Sequence, residues 1–451
     1  MNRFVPIAFT YLSLATVPLP AADRLISAEY KSAAQKLIDA ALADNNSTAR
    51  LQYLCDRIGN RLSGSESLER AIEWAAAEMK KAGLTNVQTP PVMVPHWVRG
   101  RESAVMLTPN RKPLVMIGLG MSVGTSPEGI TGEVVPVKNV DELRSFDREK
   151  LAGKIVLFTP LANSPTVETG PSRAAALGAI AMLVHTPHTR GIAYDAGVPK
   201  IPAAAVSAED AMMIDRLVRS GTPVTVRLIM EDHQEPDAQS HNVMGELRGS
   251  EKPGEIVVMG GHMDSWDLGQ GAQDDGSGMM AALEAVLLIK KLGLQPRRTI
   301  RVVFWVNEEN GGAGGRAYRE MIGDAVKNHV AAIEDDRGAE KPVGFSFGAA
   351  DQDKRTPNAF QRVVEIGKLL DAIDCGKVTP RGGGGDIRSL AAEGVPAFGK
   401  RTVDLHYSDW NHTNADSFDK IVPRDFQLHV ASLAVLSYVL ADMQERLSEI
   451  K

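Results

Sequence analysis

Five short apolar runs in the second half of the chain, NVMGELRG, EIVVMG, TIRVVFWV, HVAAIE and PAFGK, alternate with segments whose apolar residues recur at helical spacing. No other feature narrows the fold as far. Strands that alternate with helices call for a mainly parallel sheet covered on both faces. The expected class is therefore α/β, a mainly parallel mixed sheet with helices on both faces, closed by the long final helix DFQLHVASLAVLSYVLADMQERL. Ligands of such sheets bind at the carboxyl ends of strands. Those ends are where chemistry is to be sought.

The rest of the chain divides by texture. Residues 1–22 carry a short basic start, an apolar stretch broken by proline, and small residues at Ala21 and Ala22. That is the pattern of a secretory signal, too short for a membrane span, and it predicts a secreted or periplasmic protein. Residues 23–119 form the first part of a catalytic domain, with three helices between Ser27 and Leu84. The third, SLERAIEWAAAEMKKAGL, has Ser65 and Ser67 as cap candidates and stops at Gly83. Residues 120–232 hold strands such as GEVVPV, KIVLFTP and AMLVH, the helix PSRAAALGA, and few candidate ligands; they predict an inserted β-rich domain. The polar link EDHQEPDAQS leads back to the second part of the catalytic domain, 233–451.

With 451 residues the chain is long enough for two or three domains. Its net charge of -6 supplies no basic field for nucleic acid or an anionic membrane surface, so neither is an expected partner. Two cysteines, Cys55 and Cys375, exclude a disulfide scaffold and a cysteine metal cluster. They stand either as one pair or as two independent buried thiols.

EIVVMG runs into GGHMDSWDLGQGAQDDGSGMM, which carries His262, Asp264, Asp267, Asp274 and Asp275. TIRVVFWV runs into Asn307, Glu308 and Glu309, and HVAAIE into Asp335 and Asp336. A later loop, DLHYSDWNHTNADS, adds His406, Asp409, His412 and Asp416. Taken singly, each has a plain explanation: Asp caps helices and forms turns, and a loop His is usually solvated. Their joint occurrence at successive strand ends points instead to metal. Imidazole and carboxylate donors without thiolate suit zinc in an open catalytic site. GGGGD, from Gly382, lacks the Lys and Ser/Thr of a phosphate loop and predicts a tight turn. No G-x-S-x-G elbow accompanies the serines, which argues against a serine hydrolase.

At these residues the sequence resembles the co-catalytic zinc exopeptidases that carry a protease-associated domain. The likeness extends to RLSGSESLERAI, VPHWVRGRESAVML, GTSPEGIT, AGVPKIPAAAVSAEDA and WVNEENGG, and covers most of the chain after about Ser47. The resemblance implies two Zn2+ per chain and a short peptide substrate. His262 and Asp336 would hold one ion, Glu309 and His412 the other, and Asp274 would bridge them. Glu308 would be the general base. Asp264 would orient the His262 ring, Asp416 the His412 ring, and the Asp274–Asp275 peptide would be cis. The inserted segment would be the protease-associated domain, and the chain a homodimer.

Two positions depart from the family pattern. Asn411 stands where many relatives place a tyrosine that helps hold the oxyanion, which leaves Tyr407 as a candidate for that contact. Ser417 replaces a usual threonine. The expected activity is hydrolysis of unblocked dipeptides in the manner of a carboxypeptidase or dipeptidase, with an aminopeptidase as the rival. A single-zinc cyclotransferase like glutaminyl cyclase, or a metal-free binding protein like the transferrin receptor, fits the complete ligand set less well.

Overall fold

The computed structural model describes residues 25–159, 161–348 and 357–447; the signal-like residues 1–22 lie outside them. The first of two large sheets has eight strands. Their order is Thr85–Gln88, Val243–Leu247, Arg298–Trp305, Lys252–His262, His329–Glu334, Ala397–Thr402, Pro342–Gly348 and Lys377–Pro380. Its centre is parallel and its flanks mix in antiparallel pairs, as the α/β reading expects.

Parallel strands covered on both faces read as continuous apolar runs, and the packing shows why. Val257 and Met259 point into the larger core with the helices Ser277–Lys291 and Pro423–Asp442. Val258, between them, points to the opposite face with Val303, Trp305 and Tyr318 of the helix Ala313–Ile322. The helix Glu66–Lys81 starts where Ser65 accepts from the Leu68 N–H, and Gly83 follows it at φ 74°. Among the described residues no helix is long and apolar enough to cross a membrane. Cys55 and Cys375 are buried, free thiols.

Register then builds the site. Gly260 pairs with Glu334, and His262 with Trp305. The three strands that precede the candidate ligands therefore end at one rim.

The second sheet also has eight strands, four of which (Ile130–Val137, Ile155–Phe158, Ala181–His185 and Ala203–Val206) run parallel. Helices Ser164–Ala176 and Ala208–Arg219 accompany it. It begins earlier than the boundary expected at 120, because Glu102–Thr108, Lys112–Leu114 and Met116–Gly118 pair into it. A second correction concerns EDHQEPDAQS. Most of it lies in the strand His233–His241, antiparallel to Pro91–Val98 in a two-stranded ribbon. Most of its side chains are exposed, so the alternation of apolar residues that marks a half-buried strand is missing.

Candidate metal centre and active site

His262 is the last residue of its strand, 1% exposed, and its Nε2 faces Asp274 Oδ1 at 3.2 Å and Asp336 Oδ1 at 3.6 Å. On the other side of Asp274, its Oδ2 lies 3.0 Å from His412 Nε2, which is also 3.0 Å from Glu309 Oε2. The five expected ligands thus form two clusters of three donors that share Asp274. Tetrahedral zinc with bonds near 2.0–2.1 Å separates its donors by roughly 3.3 Å, which is the spacing found here. Two buried atoms in the clusters, His262 Nε2 and Glu309 Oε1, have no hydrogen-bond partner among the described residues. Buried polar atoms are seldom left so. The donor set fits a pair of zinc ions.

The surroundings explain how these side chains are held. The Asp274–Asp275 peptide is cis, as the resemblance implies. Asp275 turns away from the clusters; its carboxylate accepts from the His262 and Gly278 N–H groups, each at 3.0 Å. Asp335 turns the same way, taking His429 Nδ1 of the final helix at 2.8 Å. Asn307 and His412 both adopt positive φ, 66° and 58°, a strained backbone that persists where neighbours over-determine it.

Asp264 and Asp416 serve the site differently from the roles expected of them. His262 Nδ1 is held by the backbone carbonyl of Asp264 at 2.9 Å, not by its carboxylate. That carboxylate instead accepts from the N–H groups of Glu308, at 3.0 Å, and Glu309, at 3.3 Å. Asp416 accepts from the N–H groups of Gln273, at 2.6 Å, and Asp274, at 3.2 Å, and so positions the shared ligand. His412 Nδ1 has its partner in the inserted unit, the carbonyl of Thr189 at 3.0 Å. An orienting contact of this kind, outside the ligands themselves, fixes ring direction and tautomer.

Glu308 stands beside the clusters without belonging to either. Burial pushes its carboxyl up to about 8, and the negative charges of Asp336, Glu309 and Glu334 add to the rise. Cations in the clusters would reverse that repulsion and favour the carboxylate. The glycine run expected to form a tight turn proves to wall this site. A Cβ on Gly385 would come within 2.2 Å of Glu308 Oε1, and one on Gly384 within 1.9 Å of the Glu334 carboxyl. Tyr407 is buried at the same cavity, where loss of solvent and the carboxylates raise its phenol well above the ordinary value. It therefore stays protonated, a hydrogen-bond donor. His406 and Asp409, also gathered from that loop, are exposed and bond to each other away from the clusters.

A further support was invisible in the sequence. Arg61 is completely buried and donates to the carbonyls of Gly59, Met263, Gln270 and Gly271, tying down the loop after His262. Arg61→Leu is expected to destabilise the protein by on the order of 3–5 kcal/mol, since each stranded buried carbonyl costs about 1–3 kcal/mol. Denaturant unfolding of the two proteins measures this; equal midpoints and slopes would show the arginine to be dispensable.

Residues 242–437, the part that contains all five candidate ligands, match the model of peptidase family M28. Carboxypeptidase Q of Bos taurus is 40% identical over 440 residues, spanning 93% of this chain and 91% of the relative. The chain belongs to peptidase family M28. Carboxypeptidase Q of Homo sapiens is 39% identical, over 90% of this chain and 87% of its own. A solved M28 peptidase precursor from Shewanella amazonensis SB2B superimposes with a TM-score of 0.88 at 30% identity, covering 94% of this chain and 99% of that one. As a member of M28 the protein is a metallopeptidase, a zinc exopeptidase.

Proposed function

We propose that this M28 peptidase is a two-zinc carboxypeptidase that hydrolyses short peptides, above all dipeptides with both termini free. One observation carries the two-zinc hydrolase part of the reading: two three-donor clusters share Asp274, with Glu308 beside them in a single cavity. His262, Asp274 and Asp336 would hold one ion, and Asp274, Glu309 and His412 the other. Bound there, zinc would supply Lewis-acid polarisation of the scissile carbonyl and a lowered pKa for water.

The remaining work falls to side chains. Glu308 accepts a proton from the attacking water and returns it to the leaving amine. Asp264 fixes the backbone from which Glu308 and Glu309 project, and Asp416 fixes that of Asp274. Tyr407 offers its hydroxyl to the developing oxyanion, in place of the tyrosine that Asn411 displaces. The inserted unit, as a protease-associated domain, narrows the cavity from above through Met121, Glu168 and the loop Arg190–Ala193. Export directed by residues 1–22 and assembly as a homodimer complete the proposal.

The likeness to carboxypeptidase Q supports removal of the carboxyl-terminal residue, whereas the metal clusters alone are indifferent to which end is recognised. The test is a panel of free dipeptides, N-acetylated dipeptides, dipeptide amides and an amino-acid arylamide, assayed with zinc present. Free dipeptides should be cleaved at least tenfold more efficiently than either blocked form, because blocking a terminus leaves a charged partner unpaired at a cost of about 1.5–3 kcal/mol. Fast arylamide cleavage with tolerance of dipeptide amides would identify an aminopeptidase instead.

A further inference from the structure

The cavity over the clusters has a volume of about 460 Å³ and two unlike walls. The catalytic wall presents Asp274, Glu308, Glu309, Asp336 and Arg337; the inserted unit presents Glu168 and Arg190. Four carboxylates match the charge two zinc ions would bring, so the ions themselves would have no excess charge left to attract an anion. A substrate that enters with a free carboxylate needs a separate cation.

We infer that Arg190 of the inserted unit is the residue that receives the substrate's free carboxylate. The inference rests on the carboxypeptidase reading above and assigns its specificity to one side chain. The backbone next to Arg190 is tied to a metal ligand. Thr189 donates its N–H to the His412 carbonyl at 3.0 Å and accepts from His412 Nδ1 at 3.0 Å. His188 Nδ1 bonds to the Asn411 carbonyl at 2.8 Å. Arg190 therefore projects from a loop whose distance to the reacting centre is set by those bonds.

Its ionic partner, Glu168, lies 3.3 Å away, and the two side chains are 38% and 43% exposed. A pair this exposed is worth little, about 0–1 kcal/mol, so an incoming carboxylate replaces Glu168 at small cost. Guanidinium suits the task because its planar fork takes both oxygens of a carboxylate at once. The other arginine of this cavity, Arg337, also lines a second cavity beyond Asp336, together with Arg381, Arg388 and Arg401. No residue of the insert lines that second cavity, and Arg337 serves as the comparison.

The experiment uses zinc-loaded Glu308→Gln enzyme, whose turnover is slower by on the order of 10² to 10⁴, and brief calorimetric titration with a free dipeptide and with the same dipeptide amide. The Glu308→Gln protein should prefer the free dipeptide. Adding Arg190→Ala should weaken free-dipeptide binding by about 10- to 100-fold and leave the amide within about twofold. Arg190→Lys should fall between, since it keeps the charge and loses the fork. Zinc content equal to that of the parent shows that each variant has kept the centre. Full preference for the free dipeptide in the Arg190→Ala protein, or its loss in Arg337→Ala instead, would overturn the assignment and leave the carboxypeptidase reading standing. Equal binding of both ligands by the parent itself would overturn that reading, and the role of Arg190 with it.

Discussion

Glu308→Gln is expected to lower kcat by on the order of 10² to 10⁴ while zinc content stays unchanged. The two outcomes separate because Glu308 lies outside both three-donor clusters, so its amide removes no ligand. Shape is also preserved. The backbone of residue 308 remains anchored on Asp264 Oδ1 at 3.0 Å, and the amide occupies the space that Gly385 leaves open. What is lost is the capacity to take a proton from water and hand it to the leaving amine. At about 1.4 kcal/mol per decade, the loss corresponds to roughly 3–5 kcal/mol of transition-state stabilisation. The checks are steady-state kinetics on a free dipeptide and elemental analysis of the same preparation. Turnover near that of the unmodified enzyme would remove Glu308 from the mechanism.

The candidate ligands were legible in the sequence because each stands just past a recognisable apolar strand or inside an acidic, histidine-bearing loop. Parallel pairing does the rest: with Gly260 opposite Glu334 and His262 opposite Trp305, residues far apart in sequence reach one rim without further information. The helpers were less legible for a physical reason. Asp264 and Asp416 were expected to orient the His262 and His412 rings, whereas the partners of their carboxylates are backbone N–H groups, which every residue carries and no motif advertises. The holder of the His412 ring is likewise a backbone carbonyl, at Thr189. Arg61 reads in sequence as one more basic residue, and only the folded loop shows four carbonyls converging on it. The GGGGD run was read as a tight turn, whereas Gly382 to Gly384 form irregular loop; that it clears space for Glu308 and Glu334 depends on packing between distant segments. The ribbon strand His233–His241 was missed because its exposed residues carry no period, and pairing with Pro91–Val98 is decided by the partner.

Asp274→Ala should abolish metal binding and activity together, in contrast to the loss at Glu308. Each cluster would keep two protein donors, His262 with Asp336 and His412 with Glu309, where catalytic zinc normally has three. The substitution also removes the one carboxylate that both clusters share. With both of its oxygens within 3.2 Å of a histidine nitrogen, it would screen one bound ion from the other. Burial by itself opposes ionisation of Asp274, yet the rings of His262 and His412 outweigh it and hold the carboxyl well below the usual range. Zinc per chain, measured after dialysis against buffer of defined free zinc, should drop from about two ions to well under one. Asp416→Ala supplies a graded control: it leaves all six donor atoms in place and loosens only the backbone of the shared ligand, so zinc affinity should weaken by about 10- to 100-fold. Stoichiometric retention of both ions by Asp274→Ala would mean that the two clusters do not share a ligand, and the binuclear reading of this site would have to be abandoned.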